Sequence, residues 1–273
     1  MAHRFTSLQS SIDKLLEAEY FLGGLTRCQG PEFGYNLNAF LGACRSVTFV
    51  LQKTLSRVVG FDAWYAACRE RMKGDPAMGF FLELRNISQH EGPVSFVGGS
   101  IPQPPGWTYR FAGNREAVPP TLLGRDVAGA CAEHLVKITD LVDQFRASFP
   151  HESCIVCALT EEGMDKLGFS LDDLGVLLGL PPGYLDVGHG IPVEEKLRML
   201  RREFDPIDID ALHRLKRGGF QLRGEDLTFA VSGGADLTDD IARLIEGGEE
   251  EGRVPRMAFL TAIGRRIREK DME

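Results

Sequence analysis

Phe80-Phe81-Leu82-Glu83-Leu84-Arg85-Asn86-Ile87-Ser88-Gln89-His90-Glu91-Gly92 is the stretch on which the reading of this chain turns. On a helix at about 100° per residue, Phe80, Leu84 and Ile87 share one arc, with Phe81 and Ala77 at its edge. That arc faces a core. Glu83, Asn86 and His90 line one side of the opposite arc, and Gln89 and Arg85 the other. Arg85 and His90 are five apart, about 140° around the axis, so they flank one polar face and do not stack on one stripe. Contact between them needs the long stem of Arg85, a distorted last turn, or a second copy whose helix is related by a two-fold axis.

The same periodicity extends on both sides. Ser7–Leu25 carries Leu8, Ile12, Leu15, Leu16 and Leu22 at helical spacing. Gly30-Pro31 marks a connection. Phe33–Val59 predicts a second long helix with Leu37, Phe40, Leu41, Cys44, Val47, Leu51 and Leu55 on one broad face. Phe61 opens a third, with Asp62 as N-cap, and Pro76 restarts or kinks it. Residues 94–120 break the pattern: Val94–Val97 and Trp107–Phe111 read as a hairpin-like insertion. Arg125–Phe149 returns to helical spacing. Beyond Pro150, shorter helices are expected over Thr160–Leu167, Ser170–Leu180, Pro192–Phe204, Asp208–Lys216, Thr238–Glu246 and Arg256–Lys270. Strands are expected at Phe220–Leu222 and Leu227–Val231, with a turn at Ser232-Gly233-Gly234.

Composition fits an ordinary globular chain. Of 273 residues, 43% are hydrophobic and 26% charged, and the net charge is −8. Residues 1–150 carry a balance of +1 and residues 151–273 a balance of −9. No global positive field draws the chain to nucleic acid, although a local basic site in the first half is allowed. No apolar run approaches the ~18 residues of a membrane span, and no signal-peptide pattern opens the chain. A cytoplasmic protein without a membrane association is the expectation. The six cysteines include one close pair, Cys154-Ile155-Val156-Cys157, with His151 three residues earlier. A zinc site would need a second pair at finger or ribbon spacing. Two reduced thiols in a buried segment is the simpler reading, and neither metal nor cofactor is expected. Gly98-Gly99-Ser100 lacks the helix opening and lysine of a phosphate loop. The basic stretch Arg253–Lys270 reads as a surface for RNA, an acidic partner or the chain's own acidic half, the last being the expectation.

Arg85-Asn86-x-x-x-His90 resembles the Arg-polar-x-x-x-His motif of HEPN proteins. So do its surroundings, Tyr35-x-x-x-Ala39-Phe40-Leu41, Arg45–Lys53 and Phe61-x-x-Trp64-Tyr65. The resemblance covers residues 5 to about 148. It implies a helical bundle and a metal-independent ribonuclease in which the ribose 2′-OH is the internal nucleophile. His90 would be general base or acid, since an imidazole exchanges protons near neutrality. Arg85 would hold the phosphate and its developing charge. Asn86 would orient the imidazole or bind phosphate. Glu83, on the stripe of His90, would support it or simply face solvent. The same polar face also reads as an ordinary solvated helix surface, and Arg45 and Gln52 as helix-packing polar groups.

The sequence therefore predicts a mainly α protein. Residues 1–150 are expected to form a HEPN-like up-and-down bundle with a β-hairpin-like insertion, and residues 151–273 a smaller α-rich domain. The expected activity is RNA cleavage at an Arg85/His90 site completed across a homodimer, in defence or stress response. The alternatives are a noncatalytic module that dimerises or binds RNA or protein, and a toxin-like bundle restrained by an antitoxin.

Overall fold

A computed structural model describes residues 6–222 except 103–104, 114–116, 182 and 187–189. The described residues belong to one compact unit, Met1–Arg223. They are mainly helical, with one small two-stranded sheet.

Five helices share the large core: α1 (Gln9–Arg27), α2 (Gly30–Leu55), α3 (Phe61–Lys73), α4 (Pro76–His90) and α5 (Val127–Ser148). Each buries the apolar stripe its spacing predicts. Ile12, Leu15 and Leu22 of α1, Leu37, Phe40, Val47 and Leu51 of α2, Phe80, Phe81 and Leu84 of α4, and Leu135, Ile138 and Phe145 of α5 belong to one continuous core. Two helix starts differ from expectation, each for a local reason. Gly30-Pro31 opens α2 instead of preceding it: Gly30 takes φ +56°, and Pro31 fills a first-turn position whose N–H would have no helical partner. The cap of α3 is Gly60, at φ +85°, and Asp62 lies inside the first turn, where its charge favours the positive helix end. Of the restart or kink expected at Pro76 the structure has the restart, because the Asp75 carboxylate accepts the N–H groups of Ala77 (2.9 Å) and Met78 (3.2 Å) and begins α4 afresh.

β1 (Phe96–Pro102) and β2 (Pro105–Phe111) form an antiparallel hairpin that pairs Gly98 with Tyr109. Tyr109 stacks on Phe33 at 3.9 Å and accepts the Gly30 N–H at 2.8 Å. Asp126 caps α5 and also accepts the Thr108 hydroxyl and the Tyr109 N–H, fastening the hairpin to the bundle.

The chain continues through α6 (Pro150–Ser153), α7 (Ile155–Ala158), α8 (Glu161–Leu167), α9 (Leu171–Leu177), a 3-10 turn at Tyr184–Asp186, α10 (Val193–Arg201) and α11 (Ile209–Lys216). Leu159, Met164, Leu174 and Leu197 form a second, small cluster. α11 returns to the main core through Leu212 and Leu215. There the Arg214 guanidinium binds the Glu19 carboxylate, which is 6% exposed and also accepts the Gln221 N–H at 2.5 Å. Phe220–Leu222, expected as a strand, is irregular. Its expected partner Leu227–Val231, the turn at Ser232-Gly233-Gly234, the helices at Thr238–Glu246 and Arg256–Lys270 and the terminal basic stretch lie outside the described residues. No helix among the described residues is long and apolar enough to cross a membrane.

Candidate functional site

Helix α4 is fixed at its start by Asp75 and along its length by Phe80, Phe81, Leu84 and Ile87, all buried. Its polar face then divides. Arg85 lines a cavity of about 420 Å³ between α2, α3, α4 and α5. His90, the last residue of α4, is exposed and is not part of that lining. Asn86 is half-buried beside Arg85 and accepts from its Nη1 at 3.3 Å, while Glu83 is half-buried without lining the cavity. The structure thus brings Arg85 and Asn86 together and leaves His90 at the tip of the helix.

Four cations line the cavity: Arg45 from α2, Arg69 and Lys73 from α3, and Arg85 from α4; no carboxylate lines it among the described residues. On the α2 side Arg45 Nη1 donates to Thr48 Oγ1 (3.1 Å), and Gln52 Nε2 donates to the Thr48 carbonyl (2.9 Å) and to Tyr65 Oη (2.8 Å). Arg45 and Gln52 are therefore cavity walls and not merely packing groups. Burial pushes the Tyr65 phenol up in pKa, opposed by Arg45, Thr48 and Arg69. Lys73 pairs with Glu70 at 2.7 Å on the open surface, a weak contact in water.

Two buried polar atoms of the lining residues lack a hydrogen-bond partner: Arg85 Nε and His134 Nδ1. His134 stacks on Phe81 with ring centroids 4.1 Å apart and planes 8° from parallel. Burial, helped by the nearby Lys137 charge and opposed by Asp75, pulls its pKa down to about 3, so the imidazole is neutral at pH 7. Burial likewise raises the Cys44 thiol well above the usual range, which makes it inert.

Sequence reasoning passed over Arg69, Lys73 and His134, and named Tyr65 only as part of the resemblance. The i, i+4 spacing of Arg69 and Lys73 placed both on one face of α3, but only the packing of α3 against α2 and α4 shows what that face meets. His134 stands one turn before Ile138 on the apolar stripe of α5, where a lone polar residue was the available signal. Elsewhere, Cys154 is buried and Cys157 exposed, and no group of three His, Cys, Asp or Glu side chains suited to a metal occurs among the described residues.

Over residues 20–97 the chain matches a family model described as bacteriophage lambda protein ea47. A curated relative, Protein ea47 of Escherichia phage lambda, is 39% identical over 66 residues, which are 23% of this chain and 16% of that protein. The chain thus matches about one sixth of that relative's length. No solved structure matches the chain. The matched range contains Tyr35, Arg45, Trp64, Arg85, Asn86 and His90, the residues on which the HEPN resemblance stood, and the similarity found there is to ea47. The HEPN assignment is corrected accordingly, together with the HEPN-ribonuclease and toxin–antitoxin assignments drawn from it. A short Arg/His spacing arises readily on the polar face of an amphipathic helix, and here its two ends serve different surroundings. What the comparison supports is similarity to the lambda ea47 family over the stretch that carries all four cavity cations.

Proposed function

We propose that the chain is a noncatalytic binding protein that holds a phosphate-bearing ligand in the cavity between α2, α3, α4 and α5. The observation that carries this reading is the convergence of Arg45, Arg69, Lys73 and Arg85 on one cavity without a lining carboxylate. Like charges placed together repel unless an anion joins them. The unpartnered Arg85 Nε supports the same reading: a buried donor left unpaired costs about 1–3 kcal/mol, which an oxyanion would recover. Guanidinium forks suit phosphate oxygens in shape as well as charge. RNA, the partner expected from the sequence, is one carrier of such a group. His90 takes no part.

Thermal unfolding with added inorganic phosphate or pyrophosphate tests it. A ligand at about 100 times its Kd adds roughly 2.7 kcal/mol of stability. Arg85→Met should abolish the shift while raising ligand-free stability by about 1 kcal/mol, because the orphaned donor and one repelling charge are gone. No shift with either anion at millimolar concentration overturns the reading. RNA cleavage in chelator that disappears in His90→Ala would replace it with an endoribonuclease.

A further inference from the structure

The cavity is two-sided, and this bears on which phosphate-bearing ligand it takes; the inference rests on the anion-binding reading above. Arg69 and Lys73 are exposed, so charge gathers toward solvent, whereas Cys44, Phe81 and Ile138 are buried on the inner wall beside His134. About 420 Å³ is far more than a bare phosphate needs and lies in the ~300–1,000 Å³ range of pockets that enclose small organic ligands. The ligand therefore has a body as well as an anionic head.

The body has to meet both an apolar wall and a polar orphan. An acyl chain would fill the space against Phe81 and Ile138 but offer no partner to His134 Nδ1, which is already shut off from water and unpaired. A flat heteroaromatic ring meets both demands. Its faces lie against apolar side chains, and a heteroatom on its edge reaches the imidazole. A neutral imidazole donates from one nitrogen and accepts at the other, so Nδ1 serves a ring acceptor or a ring donor according to tautomer. The parallel Phe81 stack holds the His134 ring in one plane, and a fixed plane selects for a planar partner. We propose that the ligand is a nucleoside phosphate, with its base against Phe81 and His134 and its phosphate among Arg45, Arg69, Lys73 and Arg85. A free mononucleotide and the 5′-phosphorylated end of an RNA present the same chemistry.

Calorimetric titration of the full chain at low salt separates the possibilities. The probes are inorganic phosphate, the four ribonucleosides, their 5′-monophosphates, a 5′-phosphorylated trinucleotide and decanoate. At least one monophosphate, or the trinucleotide, should bind about tenfold or more tightly than phosphate and than its own nucleoside. The tighter of those two forms identifies the source. His134→Leu should erase the advantage of nucleotide over phosphate. Phe81→Leu, which keeps an apolar wall but removes the ring under His134, should reduce the same ratio and serves if the first variant does not fold. Phosphate binding with no nucleotide advantage overturns this inference and leaves the anion reading standing. Binding of decanoate above every nucleotide also overturns the inference. No binding by phosphate or nucleotide overturns both.

Discussion

The His134 imidazole is held neutral by burial, its pKa pulled down to about 3, while in the unfolded chain a histidine titrates near ~6.5. Between those values the unfolded state binds the extra proton. Stability therefore rises with pH across that window and falls on acidification, with a limiting slope of about 1.4 kcal/mol per pH unit. Denaturant midpoints followed from pH 7.5 down to 5 should fall for the protein and fall less for His134→Leu. Equal slopes would show that the proton is taken up elsewhere. At this scale Arg85 was legible, since a cation opposite an apolar arc announces a polar face. His134 was not, because a single polar residue within an apolar stripe leaves the helical period intact. Periodicity also cannot tell that Arg69 and Lys73 will face the same space as Arg45 and Arg85, since that depends on three helices packing together.

Among the elements, α4 depends on its first turn. Asp75 caps it and pairs with Lys137. Burial opposes ionisation of Asp75, but Lys137 and the N–H groups of Met78 and Ala77 outweigh it and hold the carboxyl below its usual range. The contribution is thus present above the ordinary carboxyl pKa of ~3.9 and is lost as pH falls through the depressed native value. Asp75→Ala should cost about 1 kcal/mol at pH 7, Asp75→Asn clearly less, and at pH 2 the gap between wild type and Asp75→Ala should narrow toward that between Asp75→Asn and Asp75→Ala, since a protonated carboxyl still accepts. Melting curves at the two pH values decide this. The hairpin rests on Gly98, where an added Cβ would stand 2.3 Å from Tyr109 Cε1. Gly98→Val should push Tyr109 off Phe33 and away from the Gly30 N–H, lowering stability by about 1–3 kcal/mol in urea titration. Element type was readable nearly throughout, including the four short helices from Glu161 to Lys216, because spacing, caps and Gly/Pro punctuation agree there. Errors fell at Phe220–Leu222, which is irregular, at the unforeseen short helices α6 and α7, and at Gly30 and Gly60, where a positive φ lets the backbone enter a helix in a way that residue identity alone leaves ambiguous.

Across the whole molecule, the returning helix α11 is secured by a long-range clasp. Glu19 of α1 receives the Arg214 guanidinium and the Gln221 N–H, and Arg27 reaches the Leu222 carbonyl at 2.8 Å. Arg214→Ala leaves a buried carboxylate with one remaining donor. The expected cost is about 2–3 kcal/mol, below the ~3–5 of a fully buried pair because Arg214 stays partly exposed. Limited proteolysis should then cut readily between residues 205 and 222, and unchanged protection would deny the clasp its role. Glu19 falls on the apolar stripe between Leu15 and Leu22, which marks it as core-facing, but nothing in the local sequence names the group that satisfies it. Its partner lies 195 residues away, so the pairing is a property of the finished fold. That separation also orders events during synthesis. Glu19 leaves the ribosome long before Arg214 is made, and in the interval its carboxylate can be satisfied only by water. The clasp therefore closes only after α1 has packed against α2 and α5, and nascent chains arrested short of residue 214 should already shield α1–α5 from protease with Glu19 still hydrated.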